Sequence, residues 1–157
     1  MLPNFSFQGC LIIMRVAFFA SEMTPFIKTG GLADVIGSLP KSLVPYLEVI
    51  DVFIPYYKKI SVSKNQISKI NFRFKVKIGT KLYPGDVYKT SNSGINIYFI
   101  DNYNLFRIRS GLYVHKGKDY RDNLERFTFF CKGALKTAEH LSTNDSYDVF
   151  HCHDWQT

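Results

Sequence analysis

Residues 15–54 read RVAFFASEMTPFIKTGGLADVIGSLPKSLVPYLEVIDVFI, and the order of apolar runs within them decides the fold class. Residues 15–20 (RVAFFA) form a short, β-rich run without polar alternation, the pattern of a strand buried on both faces. A loop follows through residues 21–31, holding Pro25 and the pair Gly30-Gly31. Leu32, Val35, Ile36, Leu39, Leu43 and Val44 then recur at helical spacing and draw one apolar stripe. Pro40 lies inside that stripe and predicts a kink or a restart of the helix. Residues 49–54 (VIDVFI) are a second buried-type strand. Strand, loop, helix and strand in this order make a βαβ unit, whose crossover is expected to be right-handed.

Downstream the pattern changes. Ile70, Phe72, Phe74, Val76 and Ile78 alternate with Asn71, Arg73, Lys75 and Lys77, a period of two that predicts a half-exposed strand. Residues 79–85 read as a connection to a hairpin partner around residues 86–89. Residues 95–100 (INIYFI) predict another buried strand, followed by a loop rich in Asn, Gly and Tyr. Leu124, Phe127, Cys131, Leu135 and Ala138 mark a second amphipathic helix, and residues 148–152 (DVFHC) a last strand. A parallel strand normally hands over to a helix that covers the sheet, and none follows here. The chain is therefore expected to be part of a domain. Residues 1–13 fit no pattern and read as an extension, non-native or mis-called, ahead of a natural start at Met14.

Of the 157 residues, 46% are hydrophobic, enough to bury a core and too many for a disordered chain. The most apolar stretch, residues 9–20, carries Arg15 and is too short to span a membrane. Residues 1–8 carry no positive charge ahead of it, so a secretory signal is not expected. The three cysteines have no C-x-x-C spacing, which reads as free thiols in a reducing, cytoplasmic compartment. The net charge is +7, and much of the excess lies in residues 58–89. Such a run can serve a polyanion or form one solvated lysine-rich face, and alternation in residues 70–78 explains much of it without a nucleic acid.

Two constellations can carry chemistry. In Lys28-Thr29-Gly30-Gly31-Leu32-Ala33-Asp34, the glycines allow close backbone approach, a helix N-terminus offers unpaired N–H groups, and Lys28 adds a full charge. A phosphate-bearing ligand suits this arrangement. So does a plain glycine turn that starts a helix, with Asp34 favouring the helix dipole. Neither a dinucleotide fingerprint nor a P-loop is present. The second constellation is His151-Cys152-His153-Asp154-Trp155 at a strand end. It lacks the second half of a zinc site, so no metal is expected. A polar strand end with a packed tryptophan, and a ligand-facing imidazole and carboxylate, both remain open from the residues alone.

Together these segments resemble the bacterial glycogen synthase and plant starch synthase family of retaining glucosyltransferases. The resemblance rests on Ala20-Ser21-Glu22, Pro25-Phe26, the Lys28–Val35 run with Leu39-Pro40-Lys41, and Ile54-Pro55. It continues through Tyr98-Phe99-Ile100-Asp101, Gly111-Leu112-Tyr113, Asp122-Asn123, Arg126-Phe127 and residues 151–155, covering residues 14–157. It implies an α/β fold, with residues 14–157 as part of the Rossmann-like, parallel-sheet, acceptor-side N-terminal domain of a two-domain, GT-B type enzyme. The C-terminal nucleotide-binding domain and the family's V-H-N segment would be absent, leaving a truncated piece inactive alone. ADP-glucose and an α-1,4-glucan are the implied substrates, with no metal or cofactor and with neither nucleic acid nor membrane as partner. Carried over by position, Lys28, Gly30 and Gly31 would bind the donor, and Asp154 would be the catalytic carboxylate beside the transferred glucose. Asp34, Tyr113 and His153 would line the donor–acceptor pocket. The other readings are a free-standing glucan- or phosphate-binding module and a basic nucleic-acid binder.

Overall fold

The computed structural model describes residues 14–142 and 146–157, and the extension read at residues 1–13 lies outside them. In chain order the elements are β1 (Arg15–Phe19), α1 (Gly31–Leu43), β2 (Val49–Pro55), the single turn α2 (Val62–Asn65), β3 (Ser68–Ile78), β4 (Lys81–Asn92) and β5 (Ile95–Asp101). A π-helical turn over Tyr103–Arg107 follows, then the two-residue strands β6 (Val114–His115) and β7 (Lys118–Asp119), α3 (Asn123–Leu141) and β8 (Val149–Cys152).

Six strands make one sheet in the order β3-β4-β5-β2-β1-β8. β5, β2, β1 and β8 run parallel, and the antiparallel hairpin β3–β4 extends the β5 edge. The expected βαβ opening is present, with Arg15 to Phe19 in register with Val49 to Phe53. Ile50, Val52, Phe53 and Ile54 are at most 2% exposed, as a central parallel strand covered on both faces requires.

α3 covers one face. Its Gly133 comes close to the Phe74 ring and to Ile100, and its Phe129 stacks on Phe74 at 5.7 Å. The segment joining β1 to α1 covers the other, where the Phe26 ring meets Phe99 edge-on at 5.2 Å. α1 is one continuous helix through Pro40, so it does not restart there. Pro40 lies on its buried side, near its C-terminal end. The buried stripe of α3 also differs from the expected one. Arg126, Phe127, Phe130, Gly133, Ala134, Thr137 and Ala138 face inward, whereas Leu124 and Leu135 are 82% and 44% exposed.

The alternating strand forms as read, with Lys69, Arg73, Lys75 and Lys77 on exposed positions of β3. Lys69 Nζ and Arg73 Nε both pair with Asp86 Oδ1, at 3.0 and 2.8 Å. A charged sheet edge resists pairing with another chain, and this accounts for much of the basic run. The opposite edge is different. β8 is exposed along its whole length, and Phe19, Cys131, Leu135, Phe150, Cys152 and Thr157 line an open apolar groove beside it. Cys131 and Cys152 are free thiols.

Candidate active site

β1 has β2 on one side and β8 on the other, while the chain leaves β1 toward β2. The gap beyond the carboxyl ends of β1 and β8 is thus the topological switch point, where open parallel sheets bind ligands. The strand ends are fixed by their neighbours. Ala20 N donates to Phe53 O at 3.1 Å, and His153 N donates to Phe19 O at 3.0 Å. Both sequence constellations open from these two ends.

On the β1 side, Gly30 is the N-cap of α1, in an extended conformation and without a side-chain capping bond. Among the described residues the first amides of α1 therefore have no side-chain cap, and the helix dipole adds positive potential at the same place. A Cβ placed on Gly30 or Gly31 would meet no atom within 4 Å. Packing within the described residues does not call for glycine at either position, so the lack of side chains leaves the loop backbone open to a ligand. Lys28 Nζ lies 2.6 Å from Asp34 Oδ2 in the first turn of α1, and both side chains are about half exposed.

Behind this loop lies a carboxylate to which the sequence reading assigns no role. Glu22 is 3% exposed and accepts bonds from the Thr29 backbone N–H and from the Thr29 hydroxyl. It also accepts from the Tyr113 hydroxyl at 3.1 Å. Ser21 Oγ lies 2.7 Å from the same phenol oxygen. Because a carboxylate only accepts, the single Tyr113 proton points to Glu22 and the Ser21 hydroxyl donates to Tyr113. Burial pushes the Tyr113 phenol well above its ordinary range, and Glu22 adds to the rise. An acid two residues after the buried-type run 15–20 is the available signal for Glu22.

On the β8 side, Asp154 is exposed and has φ of +66°. Asp and Asn tolerate this left-handed region best among non-glycine residues, and such outliers cluster at functional sites. The Trp155 ring packs against Phe127 at 5.3 Å and Tyr113 at 6.1 Å, so Tyr113 joins the two strand ends. The His153 ring lies over the sheet instead, 5.9 Å from Phe18 and 4.3 Å from His151. Burial, reinforced by His151, lowers its pKa. Among the described residues no hydrogen bond or ion pair links Lys28 or Asp34 to Asp154 or His153.

The Tyr113 loop is held from below by Arg126, which is fully buried. Its Nε donates to Leu105 O and its Nη1 to Asn123 Oδ1, each at 2.7 Å, and Asn123 Nδ2 donates to Tyr113 O at 2.9 Å. Among the described residues, no group of three or more His, Cys, Asp or Glu is placed to hold a metal ion, and no helix is long and apolar enough to cross a membrane.

The family model for the starch synthase catalytic domain matches residues 15–157. The chain belongs to the starch synthase catalytic domain family. Curated relatives include glycogen synthase of Exiguobacterium sibiricum, 39% identical over 144 residues, and that of Desulforamulus reducens, 41% identical over 146 residues. Each alignment covers 92% of this chain but only 29% and 28% of the relative, so the chain spans less than a third of their length. Among solved structures, the catalytic domain of Arabidopsis thaliana starch synthase IV, bound to ADP and acarbose, superposes with a TM-score of 0.77. It is 27% identical, with 92% of this chain and 29% of that one covered. The expected α/β architecture and family are therefore both found, in a chain that is a fragment relative to these proteins.

Proposed function

We propose that residues 14–157 are the acceptor-side part of an ADP-glucose-dependent glycogen synthase, which transfers glucose to the non-reducing end of an α-1,4-glucan with retention. One observation carries this reading: the uncapped N-terminus of α1, with Gly30, Gly31 and Lys28, opens at the same switch point as Asp154 and Tyr113. The amides and Lys28 suit a diphosphate that gains charge as it leaves. Asp154 then stabilises positive charge developing on the transferred glucose, and Asp34 holds Lys28 in place until the donor takes over that pairing. Tyr113 completes the wall of the pocket beside Asp154.

The remaining length of the relatives would supply the nucleotide-binding domain and cover the open β8 edge. Free thiols suit a reducing, cytoplasmic setting. The test grafts residues 14–157 into the Exiguobacterium sibiricum glycogen synthase in place of its matching segment. Transfer of labelled glucose from ADP-glucose to glycogen supports the reading, and a cooperatively folded graft without transfer counts against it.

A further inference from the structure

We infer that Glu22 is a positioning residue that couples the Lys28–Gly31 loop to Tyr113, so that the two walls of the pocket share one carboxylate. This deepens the proposed function and rests on it for its catalytic meaning. The geometry is specific. Glu22 lies three residues beyond the end of β1, and the bond from Ala20 N to Phe53 O ties the start of that segment to the centre of the sheet. The segment that carries the carboxylate is therefore tied at its start to the central strand β2.

Its Oε2 takes the Thr29 backbone N–H, and both oxygens lie 3.0 Å from the Thr29 hydroxyl. Thr29 sits between Lys28 and the N-cap Gly30. Fixing its amide sets the direction in which the chain enters α1 and the place from which Lys28 departs. The other partner, Tyr113, comes from a loop beyond β5, and its own carbonyl is tied through Asn123 to the buried Arg126.

Burying a carboxylate is costly, and no salt bridge of the described residues includes Glu22. Hydrogen bonds from Thr29 and Tyr113 offset that cost, and each joins the segment after β1 to one of the two walls. Removing one wall leaves the carboxylate under-bonded for the other, which makes the two sides energetically dependent.

The test is hydrogen–deuterium exchange of the full chain, followed in residues 23–34, in residues 109–121, and in β2 as an internal control. Glu22→Ala should speed exchange ~10–100-fold in both wall segments together, the loss expected for bonds to a charged acceptor, and leave β2 unchanged. Glu22→Gln should restore most of the protection, since its carbonyl can still accept from Thr29 while its amide donates to the Tyr113 oxygen. Faster exchange in only one wall, or equally in β2, overturns the inference. Should Glu22→Ala not fold, Thr29→Val decides: faster exchange across the gap in residues 109–121 supports coupling, and none there refutes it. No substrate enters the assay. Coupled walls in a graft that transfers no glucose would refute the proposed activity and leave Glu22 standing.

Discussion

The Tyr113 hydroxyl donates to Glu22 Oε1 at 3.1 Å across 91 positions of sequence. This contact, with the Trp155 ring beside Tyr113, ties together the end of β1, the loop after β5 and the end of β8.

Lys28 is held by Asp34 in an exposed pair, so its charge is positioned at little cost in stability. In the grafted synthase, Lys28→Ala should leave the melting temperature nearly unchanged and weaken donor use ~30–150-fold, the worth of a charge-assisted bond of about 2–3 kcal/mol. Steady-state kinetics over ADP-glucose concentration provide the check. Unchanged kcat/KM would remove Lys28 from the phosphate site.

Phe74 is clamped. A Cβ on its cross-strand partner Gly85 would lie 2.2 Å from the ring, and one on Gly133 of α3 would lie 2.7 Å away. Alanine usually stabilises a helix interior by up to about 1 kcal/mol over glycine. Here overpacking reverses the sign, and Gly133→Ala should cost about 1–3 kcal/mol in urea unfolding. Combined with Phe74→Leu, the loss should shrink, because the smaller side chain vacates the clash.

His153 gives a pH dependence. Its pKa is lowered in the fold, chiefly by burial. Between that lowered value and the ordinary imidazole value of about 6.5, the unfolded chain binds more protons, so stability rises with pH. Stability is therefore full above about pH 6.5 and is lost as pH falls below it. Denaturation midpoints at pH 7.5 and 5.5 should differ in that direction, and His153→Gln should flatten part of the slope.

Much of this was legible in sequence because buried parallel strands are continuous apolar runs. Residues 15–20, 49–54 and 95–100 announce themselves that way, and β3 does so by strict alternation. β4 was less visible. It begins at Lys81 after a two-residue turn, and Pro84-Gly85 in its middle reads as a loop signal. Asn102 and Phe74 make sense of that pair, the first by donating to Pro84 O at 2.8 Å and the second by needing the space over Gly85. The buried stripe of α3 departs from the expected one because Leu124 and Leu135 look like core residues in sequence but are exposed. Apolarity cannot tell a covered face from the rim of an open groove, and a buried arginine such as Arg126 hides among surface charges.

For the site, the Lys28–Asp34 run and residues 151–155 stand out as motifs, and the fold brings both to the switch point. The bond between Glu22 and Tyr113 could not be read, since nothing in linear order pairs residues so far apart. His153 shows the same limit: period two fixes its side of the strand, while only the packed structure places Phe18 beneath it.

The most direct test of the account is the turnover of the grafted synthase with Asp154→Asn, measured as glucose transferred from saturating ADP-glucose to glycogen. Removing the carboxylate's charge while keeping its shape should lower kcat by about 10²-fold or more, with KM for ADP-glucose and the melting curve little changed. A folded variant that turns over at the parent rate would contradict the assignment of this strand end as the place of glucosyl transfer.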